Sequence, residues 1–280
     1  MTLSVVIITY NEESNLGRTL ESVQSLVSNG KGEIIVVDSG STDRTVEVAK
    51  SFGAKVFVEP WKGYAAQKNS AIDKATGDWI LSLDADEEVG DVARNFILLV
   101  LSGSHDVLNH SAGFRFSRRN YFLGRWIRHG GFYPDEKLRL IKRGSGRFED
   151  RAVHEDVKLH PGQHAYDAIL HYDLGGRFDI LHHSYPTLSD YIEHMNRYSS
   201  LGAEMVVAKG DGKVRSSVIN IVLRPLATFA YNYFFRLGFL DGREGLLLHL
   251  YHAVYVSWKY AKAWELSRQQ SNELTDRSSN

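Results

Sequence analysis

Trp79-Ile80-Leu81-Ser82-Leu83-Asp84-Ala85-Asp86 is an apolar run that leads directly into two carboxylates. In extended backbone, residues i and i+2 project to the same side, so Asp84 and Asp86 can face one ligand. Two such carboxylates can hold a hard divalent cation, directly or through water, beside a diphosphate. The stretch therefore predicts a buried strand whose carboxyl end carries a functional site.

Strand-like and helix-like stretches alternate on both sides of this run. The other predicted strands are Leu3–Thr9, Glu33–Val37 and Lys55–Val58, and the predicted helices are Ser14–Ser28, Thr42–Phe52 and Tyr64–Ala75. This order predicts an α/β fold with a mostly parallel sheet flanked by helices. Ligands of such sheets bind at the carboxyl ends of the strands, where Thr9–Glu12, Asp38–Gly40 and Asp84–Glu87 lie.

The composition restricts the class of protein. The formal net charge of -1 argues against nucleic acid as a partner bound through a bulk basic surface. The absence of cysteine excludes disulfides and thiolate sites, and it suits a cytoplasmic protein. Met1–Ile8 has no basic segment or cleavage site of a signal peptide, and is expected to be a buried strand.

The last third of the chain is predicted to be helical, over Leu188–Lys209, Ser216–Leu237 and Arg243–Glu265. The apolar stripe of Ser216–Leu237 is broader than one core face requires, and it is interrupted by Arg224 and Arg236. Two interpretations remain open: peripheral contact with an anionic membrane, or ordinary packing against a neighbouring helix or a homodimer partner. We predict a first domain over residues 1–185, in two parts that cover residues 1–110 and 111–185. A helical region over 186–270 and a flexible tail over 271–280 are expected to follow.

Three ordered motifs carry a resemblance to a known family. They are Ser4-Val5-Val6-Ile7-Ile8-Thr9-Tyr10-Asn11-Glu12, Val36-Val37-Asp38-Ser39-Gly40-Ser41-Thr42-Asp43 and Asp84-Ala85-Asp86. Together they resemble glycosyltransferase family two, whose members have the GT-A fold and invert the anomeric centre. The resemblance implies a nucleotide-sugar pocket lined by Thr9, Tyr10, Glu12, Asp38, Asp84 and Ala85. It also implies that residues 1–110 bind the donor and residues 111–185 form the acceptor side of one catalytic domain. It also implies Mg²⁺ or Mn²⁺ bound by Asp86, with Asp84 near the ribose and diphosphate and as a further ligand.

A narrower resemblance starts at Trp61-Lys62-Gly63-Tyr64-Ala65-Ala66-Gln67-Lys68-Asn69 and continues in Arg128–Leu140. Both stretches are similar to bacterial lipopolysaccharide-core glucosyltransferases. By this resemblance Lys68, Asn69 and Arg139 contact the donor, which would be a UDP-sugar such as UDP-glucose. The acceptor would be a glycan or glycolipid such as the lipopolysaccharide core, at the cytoplasmic face of the inner membrane.

An inverting transfer needs one general base to deprotonate the acceptor hydroxyl. By the same resemblance Glu155, in Val153-His154-Glu155, is the expected base, with Asp150 and Asp156 as rivals. His154 is expected to act as a metal ligand or to orient Glu155. The pair His182-His183 could serve the acceptor site or be structural.

Other classes of enzyme fit the sequence less well. The acidic loop after the first strand lacks the glycines of a nucleotidyltransferase or of a dinucleotide-binding oxidoreductase. A transferase that moves the sugar to polyprenyl phosphate remains an alternative. So does a non-catalytic nucleotide-sugar-binding protein.

Overall fold

The structure is a computed structural model that describes residues 1–28, 30–104, 110–149, 156–167, 178–208 and 218–278. The chain divides into two compact units. The first contains Met1–Arg119 and Pro134–His183, and the second contains Asn120–Tyr133 and Ser184–Asn280. The segment 120–133, which was expected to belong to the acceptor side of the catalytic domain, thus clusters with the C-terminal helices.

The first half of the first unit has the predicted alternation of strands and helices. Its strands are β1 (Leu3–Thr9), β2 (Gly32–Asp38), β3 (Lys55–Val58) and β4 (Trp79–Asp84), and its helices are α1 (Leu16–Val27), α2 (Thr45–Ser51) and α3 (Tyr64–Asp73). The four strands are parallel, in the order β3-β2-β1-β4. Their carboxyl ends therefore share one edge, as predicted.

Beyond β4 the pairing of the strands becomes mainly antiparallel. The later elements are β5 (Glu87–Val89), α4 (Asp91–Ser102), β6 (Gly113–Phe122), β7 (Arg125–Trp126), β8 (Asp135–Lys142), β9 (Gly146–Phe148), β10 (Val157–Leu159), β11 (Ala165–Asp167) and β12 (Asp179–Tyr185). The order continues β4-β8-β6-β12-β5, and β8 is antiparallel to both β4 and β6. The sheet is therefore mixed: its first four strands are parallel, and β8 is antiparallel to both of its neighbours.

Two apolar clusters cover the faces of the sheet in the first unit. One contains Trp79, Phe96, Phe114 and Phe178, packed with residues of α1 and α4. The other contains Val6, Ile35, Ile80 and Ile141, packed with the apolar residues of α3. Burial on both faces explains why β1, β2 and β4 are nearly continuous apolar runs.

The second unit is mainly helical. It contains α5 (Leu188–Ala208), a π-helical turn (Ile219–Leu223), α6 (Arg224–Ala230), a second π-helical turn (Tyr231–Phe235), a 3₁₀ turn (Gly238–Asp241) and α7 (Gly242–Ser278). Phe122, Ile127, Tyr191 and Leu248 form its small core. Helix α7 extends into 271–280, the stretch predicted to be a flexible tail. Within the described ranges, no helix has the length and apolar character required to cross a membrane.

Candidate active site

The loops after β1 and β2 are held together at the carboxyl edge of the sheet. Asp38, which is almost fully buried, accepts hydrogen bonds from the Thr9 hydroxyl (2.9 Å) and from the backbone N–H groups of Gly40 (2.9 Å) and Ser41 (2.8 Å). Across the loops, the Asn11 carboxamide oxygen accepts the Thr42 N–H at 2.8 Å. Asp38 thus organises the turn, and its predicted contact with the nucleotide stays a prediction.

Two more of the expected pocket residues lie in the first of these loops. Tyr10 is exposed, so its ring is free to meet a planar ligand. Glu12 is partly buried, and its backbone N–H donates to the Thr45 hydroxyl at 2.7 Å. Burial raises the pKa of Glu12, assisted by the nearby carboxylates of Asp86 and Asp84, while a hydrogen bond from Asn15 opposes the rise. Glu12 therefore belongs to the same acidic cluster as the Asp-x-Asp motif.

Asp84, at the end of β4, lies between two buried cations. Its Oδ1 is 2.8 Å from Lys68 Nζ and its Oδ2 is 2.7 Å from an Arg139 guanidinium nitrogen. Burial alone would raise the pKa of Asp84, but the charges of Arg139 and Lys68 outweigh it and hold that pKa well below its usual value. The three residues come from β4, α3 and β8, so the structure brings together three of the predicted donor-site residues.

Glu87, which the sequence motifs did not single out, is fully buried behind Asp84. It accepts hydrogen bonds from Arg139, from Arg118 (3.4 Å) and from the Asp84 backbone N–H (3.1 Å). Arg118 also pairs with Asp135 at 2.6 Å. Glu87 therefore fixes both the backbone of the motif and the arginine beside it. An acidic residue directly after Asp-x-Asp was the available sequence signal.

Asp86 faces a different partner. Its Oδ2 lies 3.3 Å from His182 Nε2, and its carbonyl oxygen accepts the His183 N–H at 3.0 Å. Burial would raise the pKa of Asp86, but the interaction with His182 outweighs it and lowers that pKa. His182 arrives on β12, which pairs with β5 in a register that sets His182 opposite Glu87. Carboxylate and imidazole together form a pair suited to a divalent transition metal.

Two further predicted residues have contacts within the scaffold. Ala85 is buried, and its carbonyl oxygen accepts the Thr19 hydroxyl at 2.7 Å, which anchors the motif to α1. The Asn69 carboxamide makes two hydrogen bonds with the Phe148 backbone, at 2.9 and 3.0 Å. Phe148 in turn places its ring 5.2 Å from Lys68 Nζ. The expected contact of Asn69 with the base or sugar remains a prediction.

The expected general base and one expected metal ligand, Glu155 and His154, lie outside the described residues, as does Asp150. Asp156 is described, and it accepts its neighbour's N–H (Val157) at 2.9 Å. Among the described residues there is no group of three or more histidine, aspartate or glutamate side chains arranged to hold a metal. The Asp86–His182 pair is the carboxylate–imidazole pair at the Asp-x-Asp motif that could contribute two ligands to a cation.

The mixed sheet, with carboxylates at the carboxyl edge of its parallel half, defines a glycosyltransferase of the GT-A fold. Residues 4–95 match the family model described as "Glycosyl transferase family 2". A lipopolysaccharide core biosynthesis glycosyltransferase, LpsC of Rhizobium meliloti, is 30% identical over 94% of this chain and 92% of its own length. The chain belongs to glycosyltransferase family 2.

Other relatives and solved structures are similar over different spans. An uncharacterized glycosyltransferase of Rickettsia typhi is 30% identical over 97% of this chain and 90% of its own length. The structure of S. aureus TarS 1–349 aligns with 97% of this chain and 92% of its own, at TM-score 0.46 and 15% identity. Glucosyl-3-phosphoglycerate synthase from Mycobacterium tuberculosis, in complex with Mn²⁺, UDP and glucosyl-3-phosphoglycerate, aligns with 43% and 44%, at TM-score 0.34 and 26% identity.

Proposed function

We propose that this glycosyltransferase inverts the anomeric centre of a nucleotide-sugar donor, UDP-glucose, and transfers the sugar to a glycan or glycolipid of the lipopolysaccharide-core type. The single observation that carries the proposal is the placement of Asp84 and Asp86 at the carboxyl edge of the parallel strands, each facing its own partners. The acceptor class is supported by the name of the Rhizobium meliloti relative and by its near full-length similarity.

In the proposed donor site, Lys68 and Arg139 would exchange the Asp84 carboxylate for the diphosphate of the donor. Lys68 and Arg139 are buried cations that both pair with Asp84, and Arg139 also pairs with Glu87. Charge-assisted hydrogen bonds to diphosphate oxygens are among the strongest that such cations make. A donor diphosphate would therefore compete for Lys68 and Arg139, which leaves Asp84 oxygens available to accept ribose hydroxyls. Glu87 would keep Arg139 in place during this exchange.

The residues present fit a bound divalent cation. Asp86 and His182 supply an oxygen and a nitrogen ligand, and diphosphate oxygens and water would complete the coordination shell. When bound, the cation neutralises charge that develops on the leaving nucleoside diphosphate. Mg²⁺ prefers oxygen ligands, so the imidazole favours Mn²⁺ over Mg²⁺. Asp84 and His154 remain proposed as further ligands.

The acceptor hydroxyl would be deprotonated by Glu155, with Asp150 and Asp156 as the rival bases. A carboxylate suffices for this step, because the hydroxyl becomes strongly acidic only as it attacks. Replacement of Glu155 by Gln would remove the base while keeping its shape. A glycolipid acceptor would also place the enzyme at the cytoplasmic face of the inner membrane.

The test is calorimetric titration of a panel of nucleotide sugars, with and without Mn²⁺ or Mg²⁺, on the wild type, Asp86→Ala and the control Asp91→Ala. Asp91 is an exposed surface carboxylate paired with Arg94, so its loss should leave binding unchanged. We expect UDP-glucose to bind only with metal and Asp86→Ala to abolish that binding. Absence of binding by every nucleotide sugar under every metal condition would refute the proposal and favour a non-catalytic role outside sugar transfer.

A further inference from the structure

The stretch from Val218 to Leu240 in the second unit presents a continuous series of large apolar side chains to the outside. The exposed residues are Val218, Ile219, Val222, Leu223, Leu226, Tyr231, Phe234, Phe235, Leu237, Phe239 and Leu240. Phe235 is 78% exposed and Val218 is 70% exposed. We call this set the apolar surface. Single exposed apolar residues are ordinary, whereas a contiguous set of this kind marks an interaction site.

Two polar side chains in or directly after this stretch are buried, whereas its arginines are exposed. Asn220 is buried in the first π-helical turn, and Asp241 is buried at the end of the 3₁₀ turn. Asp241 accepts the His129 N–H at 2.8 Å and lies 2.9 Å from the His129 ring nitrogen. A helix surrounded by water normally has the reverse pattern, with its apolar face toward the core. The outer side of this stretch is therefore built for an apolar medium.

Exposed charge on the apolar surface is basic, and the nearby partly exposed Glu244 pairs with Arg125. The sequence from Val218 to Leu240 contains no aspartate or glutamate, and it contains Arg224 and Arg236, both exposed. Arg243, also exposed, follows on the first turn of α7. The one acidic side chain at its end, Asp241, is buried and bonded to His129. An approaching partner therefore meets apolar side chains and a basic rim.

We propose that the apolar surface lies in the interface of a bilayer that contains anionic lipids, with its aromatic and aliphatic side chains among the acyl chains and Arg224, Arg236 and Arg243 at the headgroups. Exposed basic residues are attracted to such headgroups. A second copy of the chain is a poorer occupant, because a two-fold interface would bring the same basic rim against itself. This inference uses the second unit alone and does not rest on the proposed function.

The experiment measures co-sedimentation of the full chain with vesicles of phosphatidylcholine, with and without phosphatidylglycerol, at low and high salt. The test variant is Phe234→Ser/Phe235→Ser, and Ile219→Ser/Leu226→Ser is an independent second variant. Val58→Ser is the matched control, since Val58 is 64% exposed on β3 of the first unit. Thermal unfolding of each variant verifies that the fold is retained, as expected for polar substitutions at exposed positions.

We expect the wild type and Val58→Ser to bind the anionic vesicles, more weakly at high salt or without phosphatidylglycerol. Each double variant should partition onto vesicles about tenfold or more weakly. Each aromatic or aliphatic side chain that leaves water for the bilayer contributes substantially to the free energy of binding. Arg243→Gln should weaken binding to the anionic vesicles only. Asp86→Ala should bind vesicles as the wild type does, which separates this inference from the catalytic proposal.

Two results would overturn the inference. The first is a wild type that binds neither kind of vesicle, or double variants that bind as well as the wild type. The second is a wild-type dimer, detected by analytical ultracentrifugation, that the double variants dissociate while no protein binds vesicles. In that case the apolar surface joins two copies of the chain.

Discussion

The Asp86 carboxylate and the His182 imidazole lie 3.3 Å apart, although Asp86, between β4 and β5, is distant in the sequence from β12. Antiparallel pairing of β12 with β5 carries the histidine to the Asp-x-Asp motif. The adjacent His183 turns to Glu88 instead, at 3.2 Å. Two consecutive histidines thus have separate partners, and each provides a control for the other.

If Asp86 and His182 hold the cation, His182→Ala should weaken Mn²⁺ binding in the presence of UDP by at least about tenfold, since loss of a metal's supporting groups costs about that much or more. His183→Ala should change it little. Calorimetric titration of Mn²⁺ into the UDP-bound protein measures both. Equal affinities in His182→Ala and the wild type would remove His182 from the proposed metal site.

Replacement of Glu87 by Gln tests the buried charge network. Arg139 and Arg118 would lose a buried anionic partner, and breaking such a pair costs about 3–5 kcal/mol. The free energy of unfolding, measured by urea denaturation, should fall by that order. Glu88→Gln is the matched control, because Glu88 is partly exposed and its loss should cost below about 1 kcal/mol. Similar losses in the two variants would contradict the assignment of Glu87 as the central anion.

A pH dependence is expected from His252 in α7. Burial lowers the pKa of His252 to about 4, with contributions from His249 and Lys259. The unfolded chain therefore binds more protons than the native protein between about pH 6.5 and pH 4, and stability is lost as the pH falls through that window.

The lost stability corresponds to about 3 kcal/mol at pH 4, at about 1.36 kcal/mol per unit of pKa shift. His252→Gln lacks this titration. The unfolding free energy of the variant should therefore rise relative to that of the wild type as the pH falls from 7 to 4. Urea denaturation across this range measures it. A difference that stays constant with pH would show that His252 does not titrate as described.

Gly130 and Gly124 form a matched pair for a packing test. Both have positive φ, at 69° and 78°. A Cβ on Gly130 would lie 2.0 Å from the His249 ring, whereas a Cβ on Gly124 would meet nothing within 4 Å. Gly130→Ala should therefore lose about 1–3 kcal/mol more stability than Gly124→Ala, because both share the backbone strain and only one overpacks the interior.

The double variant Gly130→Ala/His249→Ala provides the check on this reasoning. Removal of the ring should recover some of the loss, so the two substitutions should be strongly non-additive in urea denaturation. Additive losses would mean that the glycine is required for its backbone conformation and not for the space beside His249.

Local patterns predicted the parallel half of the sheet closely. The helix expected at Ser14–Ser28 forms at Leu16–Val27, and the strand that leads into Asp84 ends at that residue. These elements follow from apolar periodicity, which is a local property. The start of α2 differs: the helix was expected from Thr42 but begins at Thr45, whose N–H donates to Asp43 at 3.0 Å. Several neighbouring polar residues can each accept that bond, so the pattern alone does not choose among them.

Other features depend on register between distant strands, which residue patterns do not encode. The pairing of His182 with Asp86 and the burial of Glu87 both require β12, β5 and β8 to be in place. The stretch Ser216–Leu237 was expected to be one helix, but its described portion is two π-helical turns around α6. Its apolar side chains are exposed, whereas the sequence left membrane contact and helix packing both open, and the burial of Asn220 was not predicted.

The buried cluster behind the motif has a consequence for the order in which ligands arrive. Lys68, Arg118, Arg139 and Lys137 pair with Asp84, Glu87 and Asp135. Asp86 and Glu12 add negative charge beside them, so the cluster has no excess of positive charge. A free diphosphate would thus approach a surface that does not attract it, whereas a nucleotide already complexed with a divalent cation would bring the missing positive charge. We therefore expect metal and nucleotide to enter together, and inorganic pyrophosphate without metal to be excluded.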